Sequence, residues 1–122
     1  MKERTIFFLI LSLIFSCNTK FEKEKWQNGI EYDYPYREKM LNDLLNNYDL
    51  KGKNLSEIIK LLGNPNDFCD HNQYELSYRI KLIDKPESEF SNIKVKSLIF
   101  ELDKSKTNID SLTIVTKVYL TE

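Results

Sequence analysis

Leu50-Lys51-Gly52-Lys53-Asn54-Leu55-Ser56-Glu57-Ile58-Ile59-Lys60-Leu61-Leu62-Gly63-Asn64-Pro65 is the best-punctuated stretch of this 122-residue chain. Asn54 followed three residues later by Glu57 has the form of a capping box, in which the Asn54 side chain accepts from the Glu57 amide and Glu57 reaches back. Ile58, Ile59, Leu61 and Leu62 give the helix an apolar face. Gly63 suits the left-handed position after the last turn, and Pro65 blocks continuation. Upstream, residues 37–47 (REKMLNDLLNN) carry Met40, Leu41, Leu44 and Leu45 at helical spacing. Downstream the period changes to two. Tyr74, Leu76, Tyr78, Ile80 and Leu82 alternate with Glu75, Ser77, Arg79 and Lys81, the pattern of a half-buried strand. Residues 95–102 (VKSLIFEL) read as a second strand. Residues 109–120 read as a third, with Leu112, Ile114, Val118 and Leu120 on one face. Two N-terminal helices packed on one face of a three-stranded antiparallel sheet is the expected architecture, an α+β fold over residues 37–122.

Composition bounds the rest. The 18 Lys and Arg against 19 Asp and Glu leave no electrostatic case for nucleic acid. One His and two Cys cannot supply the four Cys or His ligands of a structural zinc site, and no metal or cofactor is expected.

The N-terminus reads as an address. Met1-Lys2-Glu3-Arg4 is a short charged segment, and Ile6–Phe15 (IFFLILSLIF) is apolar apart from Ser12. Ten helical residues span roughly 15 Å, half of a bilayer core, so a secretory signal fits better than a membrane span. Ile14-Phe15-Ser16-Cys17 then resembles the lipobox of bacterial lipoproteins, with an aliphatic residue at −3 and a small one before the Cys. The resemblance implies removal of residues 1–16 and lipidation of Cys17, with palmitate-type acyl chains. Each buried methylene contributes about 0.8 kcal/mol, so several chains give stable anchoring. The expected location is the cell envelope, lipid-anchored in the outer membrane and facing the periplasm. With Cys17 lipidated, Cys69 is alone in the mature chain and reads as a structural thiol. The remaining 16 cations and 18 anions suit a domain held near a membrane by lipid, not by charge.

Residues 17–36 read as a flexible tether carrying isolated Phe21 and Trp26. Within it Tyr32, Tyr34 and Tyr36 alternate, which places all three on one face if the segment is extended. Two readings stand for them: rings packed on the domain, or an adhesive aromatic strip for a protein partner.

The stretch from Leu50 to Pro65 also resembles the signature of the SmpA/OmlA family, small outer-membrane lipoproteins that include an accessory subunit of the β-barrel assembly machine. Asn54 stands as a cap equivalent to the commoner Ser or Thr. The likeness extends in element order over residues 37–120. It implies two helices on a three-stranded antiparallel sheet, a fold shared with β-lactamase-inhibitor proteins, and it implies no particular partner-binding residue.

No enzyme is expected. His71 lies in the polar loop Asp70-His71-Asn72, and Glu22, Glu24, Glu87 and Glu89 lie in tether or loop, without the organised partners that proton transfer requires. Gly-rich phosphate loops, Gly-x-Ser-x-Gly and His-Glu-x-x-His are absent. The expected function is a non-catalytic protein-binding module on an envelope lipoprotein. The alternative is an inhibitor or immunity-type lipoprotein that neutralises one enzyme or toxin.

Overall fold

The computed structural model describes residues 19–30, 33–68, 74–84, 93–105 and 108–121. Cys17, Tyr32, Cys69, Asp70, His71, Glu87 and Glu89 lie outside the described residues, as does the signal segment. Among the described residues the chain forms α1 (Lys23–Trp26), α2 (Pro35–Asn47), α3 (Leu55–Leu62), β1 (Asp67–Phe68), β2 (Glu75–Asp84), β3 (Lys94–Leu102) and β4 (Val115–Thr121). The strands make one antiparallel sheet in the order β1-β2-β3-β4. The α+β class holds, with one helix and one strand more than expected. Both additions, α1 and β1, are shorter than the window in which a hydrophobic period can be read.

α3 is built as its sequence dictates. Asn54 Oδ1 accepts the Glu57 N–H at 2.9 Å, and the Asn54 N–H donates to Glu57 Oε2 at 3.2 Å. Gly63 closes the helix at φ +83° and ψ −173°, a conformation open to glycine, and donates its N–H to Ile59 O. α2 begins at Pro35, two residues before the expected start. Proline at the first helical position has its φ already set and no N–H to leave unpaired.

The core lies between helices and sheet. Met40, Leu44, Ile58 and Leu62 meet Leu76, Tyr78, Ile80, Leu98, Phe100 and Leu102, all fully buried. An aromatic chain crosses it, with neighbouring ring centroids 5.4–6.2 Å apart, from Tyr48 through Phe21, Trp26 and Tyr78 to Phe100.

That chain corrects the expected tether. Trp26 is fully buried, and Phe21 packs beside it while giving its N–H to Asp43 Oδ2 at 2.7 Å. The folded unit therefore reaches back at least to Phe21 and does not start at residue 37. A segment without periodicity escapes pattern reading even when two large rings anchor it, because each ring acts alone.

The strand faces need a second correction. Arg79 pairs with Ser97 but Lys81 pairs with Lys96, so Ile80 is an extra residue in β2. The bulge reverses the alternation: Lys81 turns to the helix side, where it meets Glu38, and Leu82 turns away with its partner Val95. A bulge at Thr116 does the same in β4. Leu112 and Ile114, expected inside, are exposed, and Val115 is buried instead.

Leu62→Ala is expected to cost about 2–5 kcal/mol in a urea melt, the range for a fully buried leucine. A loss typical of a surface site, under about half a kcal/mol, would contradict the packing. The second prediction concerns Asp43. The Phe21 backbone N–H and then the Asn47 side-chain amide hold its carboxyl below the usual carboxylate range. A folded-state pKa that is depressed contributes stability above the unfolded value and loses it as pH falls through the folded one. The advantage in melting temperature of the wild type over Asp43→Asn should therefore shrink below about pH 4.

Candidate functional site

Of the expected contact tyrosines, Tyr34 and Tyr36 are placed, and they do not share an extended face. Pro35 starts α2 between them, so Tyr34 ends the incoming segment and Tyr36 sits in the first turn. Tyr36 is 39 % exposed. Tyr34 is half-buried, and its ring fills the space in which a Cβ at Gly29 would sit.

The residue that organises this region is Arg37, 3 % exposed in the first turn of α2. Its Nε donates to Trp26 O at 2.6 Å, and its Nη1 donates to Asn66 Oδ1 at 2.6 Å and to Arg79 O at 2.8 Å. The guanidinium carbon lies 3.6 Å from the Tyr34 ring centroid, 4.9 Å from Trp26 and 5.9 Å from Tyr78. No carboxylate among the described residues pairs with it. Burial pulls its pKa down to about 10, opposed by the nearby Tyr34 and Tyr78, so it remains a cation at neutral pH. Burial also pushes the Tyr78 phenol above its ordinary range; its O–H donates to Gly63 O.

These contacts continue the sheet where β1 stops. β1 covers β2 only at Leu76 and Ser77. Beyond it, Asn66 N–H donates to Ser77 O, Arg79 N–H donates to Asn66 Oδ1, Arg37 donates to Arg79 O, and Tyr34 N–H donates to Ile80 O. Asn66 Nδ2 also donates to the Tyr34 hydroxyl at 2.8 Å. Chemically this is a clamp: a delocalised cation satisfied by neutral oxygens and ring faces. Asp67 accepts from Arg79 through both oxygens, at 3.0 Å from Nε and 2.9 Å from Nη2.

Two surfaces flank the clamp. On the helix side Glu38 lies between Lys81 at 3.5 Å and Lys96 at 3.8 Å, beside exposed Ile83. On the opposite face, the sheet register sets Ser77, Ile99 and Tyr119 in one row and Glu75, Glu101 and Lys117 in the next. Neither Arg37 nor Asn66 was singled out by sequence reading. The signal available was weak: an arginine two residues after a helix-starting proline carries no information about a strand more than forty residues away.

Arg37→Lys should destabilise the protein by about 1–3 kcal/mol, because one ammonium cannot reach all three oxygens and leaves buried acceptors unmet. Tyr34→Ser should destabilise in the same direction, and Tyr36→Ser should stay within about 0.5 kcal/mol of wild type. Equal losses from the two tyrosines would overturn their assignment. Comparisons with protein-family models, with curated proteins and with solved structures find no match to this chain.

Proposed function

We propose that this chain is an envelope lipoprotein, held by lipid on Cys17, whose α+β domain is a non-catalytic protein-binding module serving an outer-membrane complex from the periplasmic side. The observation that carries the reading is the run Ile6–Phe15 followed by Ser16-Cys17, a signal-length apolar segment ending in a lipobox-type cysteine. Among the described residues, no helix is long and apolar enough to cross a membrane; in this proposal the attachment at Cys17 is through acyl chains. The domain supports the binding half of the reading through its surface. Tyr36 is exposed in the first turn of α2, the turn that also carries Glu38 with its partners Lys81 and Lys96, and Tyr34 serves the clamp. In this proposal Tyr36 is the contact residue and Tyr34 its support, with Tyr32 left as first expected.

Metabolic labelling with a palmitate analogue tests the anchor, and cross-linking in the native envelope tests the role. Wild type should take up label, and Cys17→Ala should lose both label and the cross-linked envelope subunit. Label retained by Cys17→Ala, or none in wild type, would overturn the anchor. A single toxin or hydrolase recovered as the cross-linked partner would replace the accessory role with the inhibitor one.

A further inference from the structure

The chain enters the folded unit at the C-terminal end of α2. Phe21 stacks on Tyr48 with ring centroids 5.4 Å apart, and Tyr48 directly follows the last turn of the helix. Tyr48 lines two open grooves at once. One, of about 310 Å³, runs past Leu45, Lys51 and Val118. The other, of about 460 Å³, runs past Lys53, Lys60 and Leu61. Leu45 is 39 % exposed, and Tyr48 is half-buried.

Lysines rim this apolar surface, and they are uncommitted. Lys51, Lys53 and Lys60 enter no ion pair among the described residues, whereas Lys81 and Lys96 share Glu38 at the other end of α2. Two carboxylates also line the grooves, Asp49 and Glu57, and Glu57 is engaged with the Asn54 N–H. Such a set of side chains suits a boundary between water and lipid. A tyrosine ring settles at headgroup depth, and a lysine lays its methylenes on apolar surface while its ammonium reaches a phosphate.

With Cys17 as the anchor, the reading on which this rests, we propose that the domain seats its Tyr48 end on the phospholipid surface. Leu45 and Tyr48 enter the headgroup layer, and Lys51, Lys53 and Lys60 meet lipid phosphates. The length of chain before Phe21 selects this occupant. Four residue steps from Cys17 reach at most about 14 Å, so an acylated Cys17 keeps lipid beside Phe21, and Phe21 touches Tyr48. Three lysines offset by two carboxylates would recruit a membrane from solution only weakly. The tether removes that need by holding headgroups at high local concentration. Tyr36 and Glu38 lie in the first turn of α2, and Tyr36 is roughly 18 Å from Tyr48 at 1.5 Å per residue. The face proposed for a protein partner is thus a different one from the face on the lipid.

Photo-cross-linking reads the seating directly. The full chain is expressed with benzoylphenylalanine in place of one residue at a time, purified from membranes, reconstituted in phosphatidylcholine vesicles and irradiated. Positions 45, 51 and 60 should each gain the mass of one phosphatidylcholine, several-fold more often than positions 36 and 83. Ile83 is as exposed as Leu45 but lies beside Glu38, so it controls for apolarity alone. The same mass spectra report acyl chains on residue 17. Acyl mass there with equal adducts at all five positions, or with none at 45, 51 and 60, overturns the seating and leaves the anchor standing. No acyl mass overturns the anchor itself, and the seating with it. The triple variant Lys51→Gln, Lys53→Gln, Lys60→Gln should keep its acyl mass and lose several-fold of the adduct at position 45; an undiminished yield overturns the phosphate contact.

Discussion

A guanidinium buried without a carboxylate is the constraint around which the described fold is arranged. Taking a charge out of water costs several kcal/mol unless its donors are met. Arg37 meets that demand with three neutral oxygens from three distant parts of the chain, at positions 26, 66 and 79, and with three aromatic faces. Arginine suits the position because its ion is weakly hydrated, planar and fork-shaped. Each partner is thereby fixed relative to α2: the N-terminal segment through Trp26, the connection after α3 through Asn66, and the outer side of β2 through Arg79. Among the described residues the buried Trp26 indole N–H finds no partner, a local cost carried by the burial of its ring.

The clamp also decides how the sheet ends. A two-residue β1 cannot cover a ten-residue β2, and the uncovered groups must bond elsewhere. Side chains of Arg37 and Asn66 and the Tyr34 amide supply those bonds, so that edge is sealed by residues belonging to no strand. At the far edge, residues 52–56 bond Val115 and the segment that leads into β4 in the same way.

The elements that could be read from sequence were those whose information is local. The capping box of α3, its closing glycine and the apolar stripe of α2 each lie within a few turns of chain. What escaped depends on distant partners. Trp26 in a polar, aperiodic segment gives no sign that it fills the core, and Arg37 gives no sign that it bonds Arg79 O. Bulges escaped for a related reason. Ile80 and Thr116 look like ordinary members of an alternating run, and only the partner strand's count reveals the extra residue. The same holds for the three tyrosines: alternation is informative only while the backbone stays extended, and Pro35 ends that by starting a helix.

Extending the folded unit back to Phe21 changes what an anchor at Cys17 would do. A tether reaching to residue 36 would let the domain range tens of ångströms from a membrane. Four residue steps, from Cys17 to Phe21, reach at most about 14 Å. Phe21 stacks on Tyr48, and Tyr48 lines the groove that runs beside Val118 on β4. An acylated Cys17 would therefore hold this end of the domain close to the lipid. The same confinement sets a limit: a partner that needs the groove must reach it near the headgroups, whereas one that uses Tyr36 and the Glu38 cluster meets α2 at its first turn, away from Tyr48 at its C-terminal end.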